Sequence, residues 1–431
     1  MIKLLWVGDA VAHTGFSRVT HSILDELHKT GEYDINVLGI NYSGDPHSYP
    51  YNIYPAFTGG DMFGVNRFPH VLQELVPDVI FIVQDIWNIA AYLQKVGITG
   101  DNKRAMPRLV IYFPLDAPGF KPEWAMPLRA AAKVCVYTQF AKDIVQPYTP
   151  TEVEIIPHGI NTDIFHPVAD ARQHLKGVSQ DWEIIGNVNR NQPRKRIDLT
   201  LDVFAAYCQD KPEARLYYHG ALNDAVGMDI IDYAKRLKIW DKLIITDPNM
   251  TAARGVPTEV LNWIYNSLDV QINTGLGEGW GLPNFEGAAC GVPQVVPNWS
   301  ATKEIYGEDR GLLIDIDRPL LSMQQLNTIG GLIDVRDAVE KLNILHYHPE
   351  IKRRLAHNCF KYINQPKFQW SNIAGRLDTM FKQIVECTKV VPDDNNMAGK
   401  HNADHQRDTG SDRKAGNTPH SSNRRGKSKR K

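Results

Sequence analysis

Cysteine is scarce in this chain. The five, Cys135, Cys208, Cys290, Cys359 and Cys387, are odd in number, scattered, and form no CxxC pair. That usage argues against a disulfide framework or a zinc site and points to a reducing compartment. Long apolar runs are also missing. Nothing approaches the ~20 residues that cross a bilayer, and the apolar opening 2–7 is too short for a signal peptide and lacks a cleavage pattern. The expected location is therefore the cytoplasm, with peripheral contact at a membrane surface left open. Net charge is nearly absent: 48 Lys and Arg against 49 Asp and Glu leave −1. No whole-molecule field selects nucleic acid or an anionic membrane. A full GxGxxG after the first strand is lacking too, so a dinucleotide site is not supported.

What is present is the composition of a globular protein, 43 % hydrophobic and 23 % charged. At 431 residues it is long enough for two or three domains. Apolar runs at 2–8, 34–40, 78–84, 108–115, 133–138 and 152–157 read as strands. Helical spacing marks 17–28, 71–76, 86–96, 124–131 and 140–145 as helices. Runs such as Val-Ile-Phe-Ile-Val are apolar on both faces, as central parallel strands must be. The alternation repeats after residue 183: strands at 183–188, 215–219, 243–246, 269–273, 294–296 and 312–314, helices at 197–207, 228–237 and 258–268. Two doubly wound α/β units follow. Helices are expected again at 334–344, 349–362 and 370–387. The segment 42–64, rich in Gly, Pro, Tyr and Asp, reads as one long loop on the acceptor side.

The chemistry concentrates at 275–291, Gly-Leu-Gly-Glu-Gly-Trp-Gly-Leu-Pro-Asn-Phe-Glu-Gly-Ala-Ala-Cys-Gly. A short strand feeds a glycine loop and then a helix N-terminus. Free backbone N–H groups and the positive end of the dipole make such a place an anion site. Glu278 and Glu286 flank it. Carboxylates repel phosphates but accept hydrogen bonds from sugar hydroxyls. A ligand with a diphosphate at its middle and hydroxyls on both sides satisfies the whole stretch, and a nucleotide sugar has that shape.

This stretch resembles the donor-site signature of retaining GT-B glycosyltransferases, glycosyltransferase family 4 in particular. There the pattern is Glu, seven residues, Glu, within Glu-Gly-aromatic-Gly-Leu-Pro, followed by Ala-Cys-Gly-x-Pro-Val-Val. Here Trp280 takes the aromatic position and Gln294 falls inside the last segment. The run 157–167, beginning Pro-His-Gly-Ile-Asn, is similar to the family's interdomain hinge, in which His158 is positional rather than a base. The resemblance implies a GT-B architecture: two Rossmann-like domains facing across a cleft. It implies an acceptor-side domain at 1–160, a nucleotide-sugar donor domain at 161–345, and C-terminal helices at 346–390 that cross back to the first domain.

It also implies roles. Gly15 would let the backbone approach the donor diphosphate, although alone it reads as a turn glycine. Arg190 and, five residues on, Lys195 would neutralise the leaving diphosphate; Arg194 and Arg196 crowd the same loop, so a slip of one residue is open. Gly279, Trp280, Gly281, Leu282 and Pro283 would line the donor, Glu278 would hold its sugar and Glu286 its ribose. Asp116, past the strand 108–115, stands about where many members carry a histidine, and reads equally as a turn aspartate; Gln84 and Asp85 are weaker candidates of that kind. The turn 247–250 would face the base.

The implied activity is transfer of a sugar, with retention, from a nucleotide-sugar donor to a glycan, lipid-linked or other acceptor, with no cofactor or metal. Asp315-Ile316-Asp317 resembles a metal-holding DxD but is explained as a strand-end turn. The rival readings are a phosphorylase-like or epimerase-like GT-B enzyme and a non-catalytic nucleotide-sugar-binding protein. From 391 to 431 apolar residues almost vanish, so a disordered tail is expected. Its basic end, 424–431, is where weak contact with nucleic acid or an anionic membrane would arise.

Overall fold

Strand and helix alternate along the chain because apolar runs of five to eight residues are punctuated by Gly, Pro and Asp. The computed structural model describes residues 1–99, 106–222, 224–246, 255–321 and 326–390. The expectations for the turn 247–250 and the tail 391–431 lie outside the described residues.

The first domain is built on β1 (Ile2–Asp9), β2 (Tyr33–Ile40), β3 (Asn52–Pro55), β4 (Val79–Val83), β5 (Met106–Phe113), β6 (Ala131–Val136) and β7 (Val153–Ile155). They form one parallel sheet in the order β3-β2-β1-β4-β5-β6-β7. Every residue of β4 is buried, because helices cover both faces. Those helices are α1 (Gly15–Lys29), α2 (Phe68–Leu75), α3 (Ile86–Lys95), α4 (Ala125–Ala130) and α5 (Gln139–Val145). The Thr14 hydroxyl caps α1 by accepting from Ser17 N–H at 3.0 Å, and also donates to Asp9 at 2.7 Å, so the β1–α1 turn is fixed at both ends.

The second domain carries β8 (Glu183–Val188), β9 (Ala214–His219), β10 (Leu243–Ile245), β11 (Val270–Ile272), β12 (Gln294–Pro297) and β13 (Leu312–Ile314), parallel, in the order β10-β9-β8-β11-β12-β13. Its helices are α6 (Ile197–Tyr207), α7 (Ile230–Arg236), α8 (Thr258–Ser267), α9 (Leu282–Ala289) and α10 (Ser300–Tyr306). In both sheets the strand order reverses beside the first strand, at β1/β4 and at β8/β11. That reversal opens the crevice where doubly wound folds take ligands.

Three strands depart from the sequence reading. The expected loop 42–64 contains β3, which pairs in parallel with β2 from Asn36↔Asn52 to Gly39↔Pro55. Four half-exposed residues ending in proline give no alternation to read, and Pro is admitted because this is an edge strand. A hairpin of β14 (Ile316–Leu321) and β15 (Ile329–Ile333) follows β13. The Asp315-Ile316-Asp317 run lies at its start: the Asp315 backbone N–H donates to the Asp337 carboxylate at 2.8 Å, and the Asp317 carboxylate pairs with Arg318 at 3.4 Å.

The chain ends with α11 (Val335–Tyr347), α12 (Pro349–Ile363) and α13 (Trp370–Val390). Of the segment expected to cross back, α13 alone makes the crossing; α12 packs on α9 and α11 of the second domain. Phe381 of α13 sits edge-on to Phe81 at 5.6 Å, and Tyr33 donates to Asp378 at 2.6 Å. One apolar cluster therefore runs from the face of the first sheet through the hinge residues Ile160 and Phe165 to Phe285 on α9. The opposite face of each sheet has a cluster of its own. No helix among the described residues is long and apolar enough to cross a membrane.

Candidate functional site

The site is assembled at the carboxyl end of β11. Asn273, just past that strand, is fully buried and organises the loop that follows. Its side-chain oxygen accepts from Gly275 N–H at 2.8 Å. Its amide donates to Asn284 at 2.9 Å and to Glu278 at 3.3 Å. Asn284 donates onward to Gln294, Gln294 to Gln271, and Gln271 to the carbonyl of Pro283. This buried amide chain clamps the start of α9 to β11 and β12. Every polar member is satisfied, so the chain rigidifies the loop rather than costing stability. The Ser300 hydroxyl meets both the N–H and the carbonyl of Glu278 at 3.1 Å.

The basic loop is strapped to the glycine loop by backbone. Leu276 N–H donates to the Arg194 carbonyl at 2.8 Å, and the Thr274 hydroxyl donates to the Arg196 carbonyl at 2.9 Å. Lys195 and Glu278 thereby meet, and their side chains form a buried ion pair with 9 % and 7 % exposure. Arg194 lies 3.5 Å from the other oxygen of Glu278 and 3.4 Å from Asp116. Burial pushes the Glu278 carboxyl up, but Lys195 and then Arg194 outweigh it and hold it below the usual carboxylate range. Burial, with Arg194 nearby, lowers Lys195 from its ordinary value despite the pairing.

Arg190 is not brought to this cluster, contrary to the expected pairing with Lys195. Its guanidinium binds Asp224 at 2.6 Å and is half exposed. The short helical turn at Pro193–Lys195 sends Arg194, not Arg190, inward beside Glu278. Arg196 turns away to Asp198, at 2.7 Å.

The first domain closes the other side. Gly15, the first residue of α1, lies against Leu282, the first residue of α9; a Cβ there would stand 3.3 Å from the Leu282 methyl. Two helix N-termini from opposite domains so converge. A Cβ at Gly277 would meet the Asp116 carbonyl at 2.2 Å, and one at Gly279 would meet Pro114 at 2.7 Å. Only glycine lets the loop 275–281 pass this close to the segment after β5. Gly281 starts α9 from the left-handed region, φ 84°, with Pro283 in the first turn, where its missing N–H costs nothing. Asp116 is half-buried beside Arg194; burial pushes its carboxyl up and Arg194 partly offsets that. Asp85 at the end of β4 is pushed up to about 7 by burial and by Asp116. Gln84 is buried and accepts from Asp85 N–H at 2.8 Å.

Glu286 points from α9 toward the domain junction. Arg18 of α1 forms an ion pair with one of its oxygens, and the Tyr265 hydroxyl donates to the other at 2.8 Å. Trp280 is buried, with Phe285 at 5.1 Å and the hinge residue His158 at 5.7 Å. His158 lies against Tyr137, the ring centroids 4.0 Å apart and tilted by 47°, and burial lowers it to about 3, so it is neutral. Arg18, Tyr265, Asn273 and the amide chain were not singled out from sequence. Arg18 was within reach, since it lies three residues after Gly15 and so on the same helical face. Among the described residues no three metal-ligating side chains gather.

Residues 172–320 match the family described as glycosyl transferases group 1. The chain is 29 % identical over 201 residues to the GDP-mannose-dependent alpha-(1-6)-phosphatidylinositol dimannoside mannosyltransferase of Mycobacterium tuberculosis; the match covers 46 % of this chain and 48 % of that protein, so the chain spans about half the length of this relative. In fold it is similar to sucrose-phosphate synthase from Thermosynechococcus elongatus, with a TM-score of 0.69 at 16 % identity, covering 90 % of this chain and 100 % of that one. It is also similar to the Anabaena protein HepE solved with UDP-glucose, with a TM-score of 0.65 at 15 % identity over 89 % and 100 %. The segment carrying Lys195, Glu278 and Glu286 is thus a glycosyl transferases group 1 domain, and the chain that holds it has the GT-B fold of two Rossmann-like domains.

Proposed function

We propose that this chain is a retaining glycosyltransferase that moves a sugar from a nucleotide sugar to a hydroxyl of a glycan or glycolipid acceptor without a metal. The observation that carries the reading is the buried contact of Lys195 with Glu278, set beside the N-terminus of α9. One residue of the pair suits a diphosphate and the other suits sugar hydroxyls, so their contact marks the junction of the two halves of a nucleotide sugar.

In the reaction the bond between the anomeric carbon and the phosphate oxygen breaks, and negative charge grows on the leaving diphosphate. Lys195, Arg194 and the N–H groups opening α9 stabilise that charge without reorganisation. The acceptor oxygen bonds to the anomeric carbon on the face the diphosphate leaves. Its proton passes to the departing phosphate oxygen. Glu278 holds the donor sugar, and Glu286 accepts from the ribose hydroxyls. Gly15, Gly279, Trp280, Gly281, Leu282 and Pro283 shape the donor site. Asp116 and Asp85 face the acceptor side, and Arg190 stays at the rim on Asp224. A lipid-linked acceptor would be met at a membrane surface, from the cytoplasm.

The test is release of nucleoside diphosphate from UDP-, GDP- and ADP-sugars, followed with and without added sugar acceptors. A phosphorylase-like protein would need phosphate instead, and a binding protein would turn nothing over.

A further inference from the structure

Glu286 sits on α9 of the second domain and is almost fully buried, yet the cation that pairs with it comes from the first. Arg18 reaches across from α1 to one carboxylate oxygen. The Tyr265 hydroxyl, from α8, holds the other at 2.8 Å. The Arg18 guanidinium also lies 5.2 Å over the ring of Phe165 in the hinge, and Phe165 in turn meets Tyr265 edge-on at 5.9 Å. Arg18 of α1 and Tyr265 of α8 thus hold the one carboxylate on α9, and Phe165 of the hinge packs against both of them. A buried carboxylate without a partner is costly, so its orientation is set by the groups that pair with it.

We propose that Arg18 is a positioning residue for nucleotide recognition: it holds Glu286 from the opposite domain, so that full affinity for the nucleoside diphosphate requires the two domains to be together. This rests on the reading of Glu286 as the ribose ligand. Each carboxylate oxygen has two lone pairs. Arg18 and Tyr265 use one on each oxygen and leave the others for a ribose diol. Without Arg18 the carboxylate loses its fixed orientation, and the second domain alone holds the nucleotide less well.

The experiment is calorimetric titration of the full chain with UDP, GDP and ADP, followed by the one that binds best to Arg18→Met, Arg18→Lys, Glu286→Gln and the double variant Arg18→Met/Glu286→Gln. Each single loss of function should weaken binding on the order of ten- to a hundredfold, as for a hydrogen bond to a charged group. The double variant should be no weaker than Glu286→Gln alone, because Arg18 acts through Glu286. Arg18→Lys should recover most of the affinity, which a role in packing alone would not produce. Donor KM should rise in Arg18→Met while kcat at saturating donor changes less. Binding by Arg18→Met equal to the parent, with Glu286→Gln weakened, overturns the inference and leaves the ribose reading standing. Additive losses would overturn it as well, since Arg18 would then act on another part of the nucleotide. Unchanged binding by Glu286→Gln, or no binding of any of the three by the parent, overturns the ribose reading and the inference with it.

Discussion

Replacing Lys195 by methionine separates the work this residue does for the fold from the work it does on the leaving group. The Lys195 side chain is 9 % exposed and is paired with the Glu278 side chain, 7 % exposed. Breaking a buried pair from one side costs about 3–5 kcal/mol, because a buried charge is left uncompensated. Arg194 remains 3.5 Å from Glu278 and keeps part of the compensation, so Lys195→Met should cost about 2–4 kcal/mol of stability. Catalysis should suffer separately. Loss of one preorganised donor to developing charge lowers kcat on the order of 10²–10³. In the double variant Lys195→Met/Glu278→Gln the stranded charge is gone, and denaturant unfolding should show stability recovered toward the parent. Its kcat, read as nucleoside diphosphate released at saturating donor, should not recover. Recovery of kcat along with stability would refute the reasoning for both residues, since neither the Lys195 ammonium nor the Glu278 carboxylate would then act on the donor. An unchanged kcat in Lys195→Met would refute it more simply.

Other expected outcomes follow from the same geometry. Glu286→Gln should raise donor KM and weaken free-nucleotide binding by about 1.5–3 kcal/mol with a smaller change in kcat, as steady-state kinetics and calorimetry would register. Transfer should persist in EDTA; complete loss, rescued by Mn²⁺ or Mg²⁺, would contradict the metal-free reading. His158, lowered to about 3 by burial, stays neutral in the fold while the unfolded chain binds a proton below about 6.5. Its contribution is present above that value and is lost as pH falls, by about 2 kcal/mol between pH 8 and pH 5. His158→Phe, which keeps an aromatic ring against Tyr137 and removes two buried ring nitrogens without hydrogen-bond partners, should blunt that acid loss in unfolding curves at the two pH values. Asp85, raised to about 7 by burial and then by Asp116, binds a proton in the fold that the unfolded chain gives up near pH 4, so this group lowers stability as pH rises from about 4 to 7. Asp85→Asn should accordingly gain on the parent at pH 8 and not at pH 4; an equal difference at both would count against the shift.

Strand periods and the glycine loop were legible because both are local. β8, α6 and the Glu278–Glu286 spacing stand in the sequence almost as they stand in space. Two doubly wound units followed from alternation, since parallel strands must be buried on both faces; that they face across a cleft was implied only by the resemblance of 275–291 and 157–167. Three things were not legible, each for a physical reason. β3 gains its place from pairing with the edge of β2, a non-local hydrogen-bond ladder that four residues cannot announce. Arg190 and Arg194 are equivalent on paper; the choice is made by the turn at Pro193–Lys195 and by Asp224, thirty-four residues further on. Gln271, Asn273, Asn284 and Gln294 look like scattered amides until β11, β12 and α9 are set side by side. Arg18 could be read as a neighbour of Gly15 on one helical face, but its pairing with Glu286 could not, because that partner is 268 residues away and in the other domain.

The central claim is that the Lys195–Glu278 junction is where a nucleotide sugar is held and cleaved. The measurement that bears on it most directly is the release of nucleoside diphosphate from a panel of UDP-, GDP- and ADP-sugars by the parent chain and by Glu278→Gln, with binding of the free nucleotide measured on both. The account predicts that one donor class is turned over by the parent. It also predicts that Glu278→Gln loses most of this turnover while still binding the nucleotide, because Glu278 addresses the sugar and Glu286 the ribose. Turnover by Glu278→Gln at the parent rate, or no turnover of any donor by a parent chain that binds the nucleotide, would contradict it.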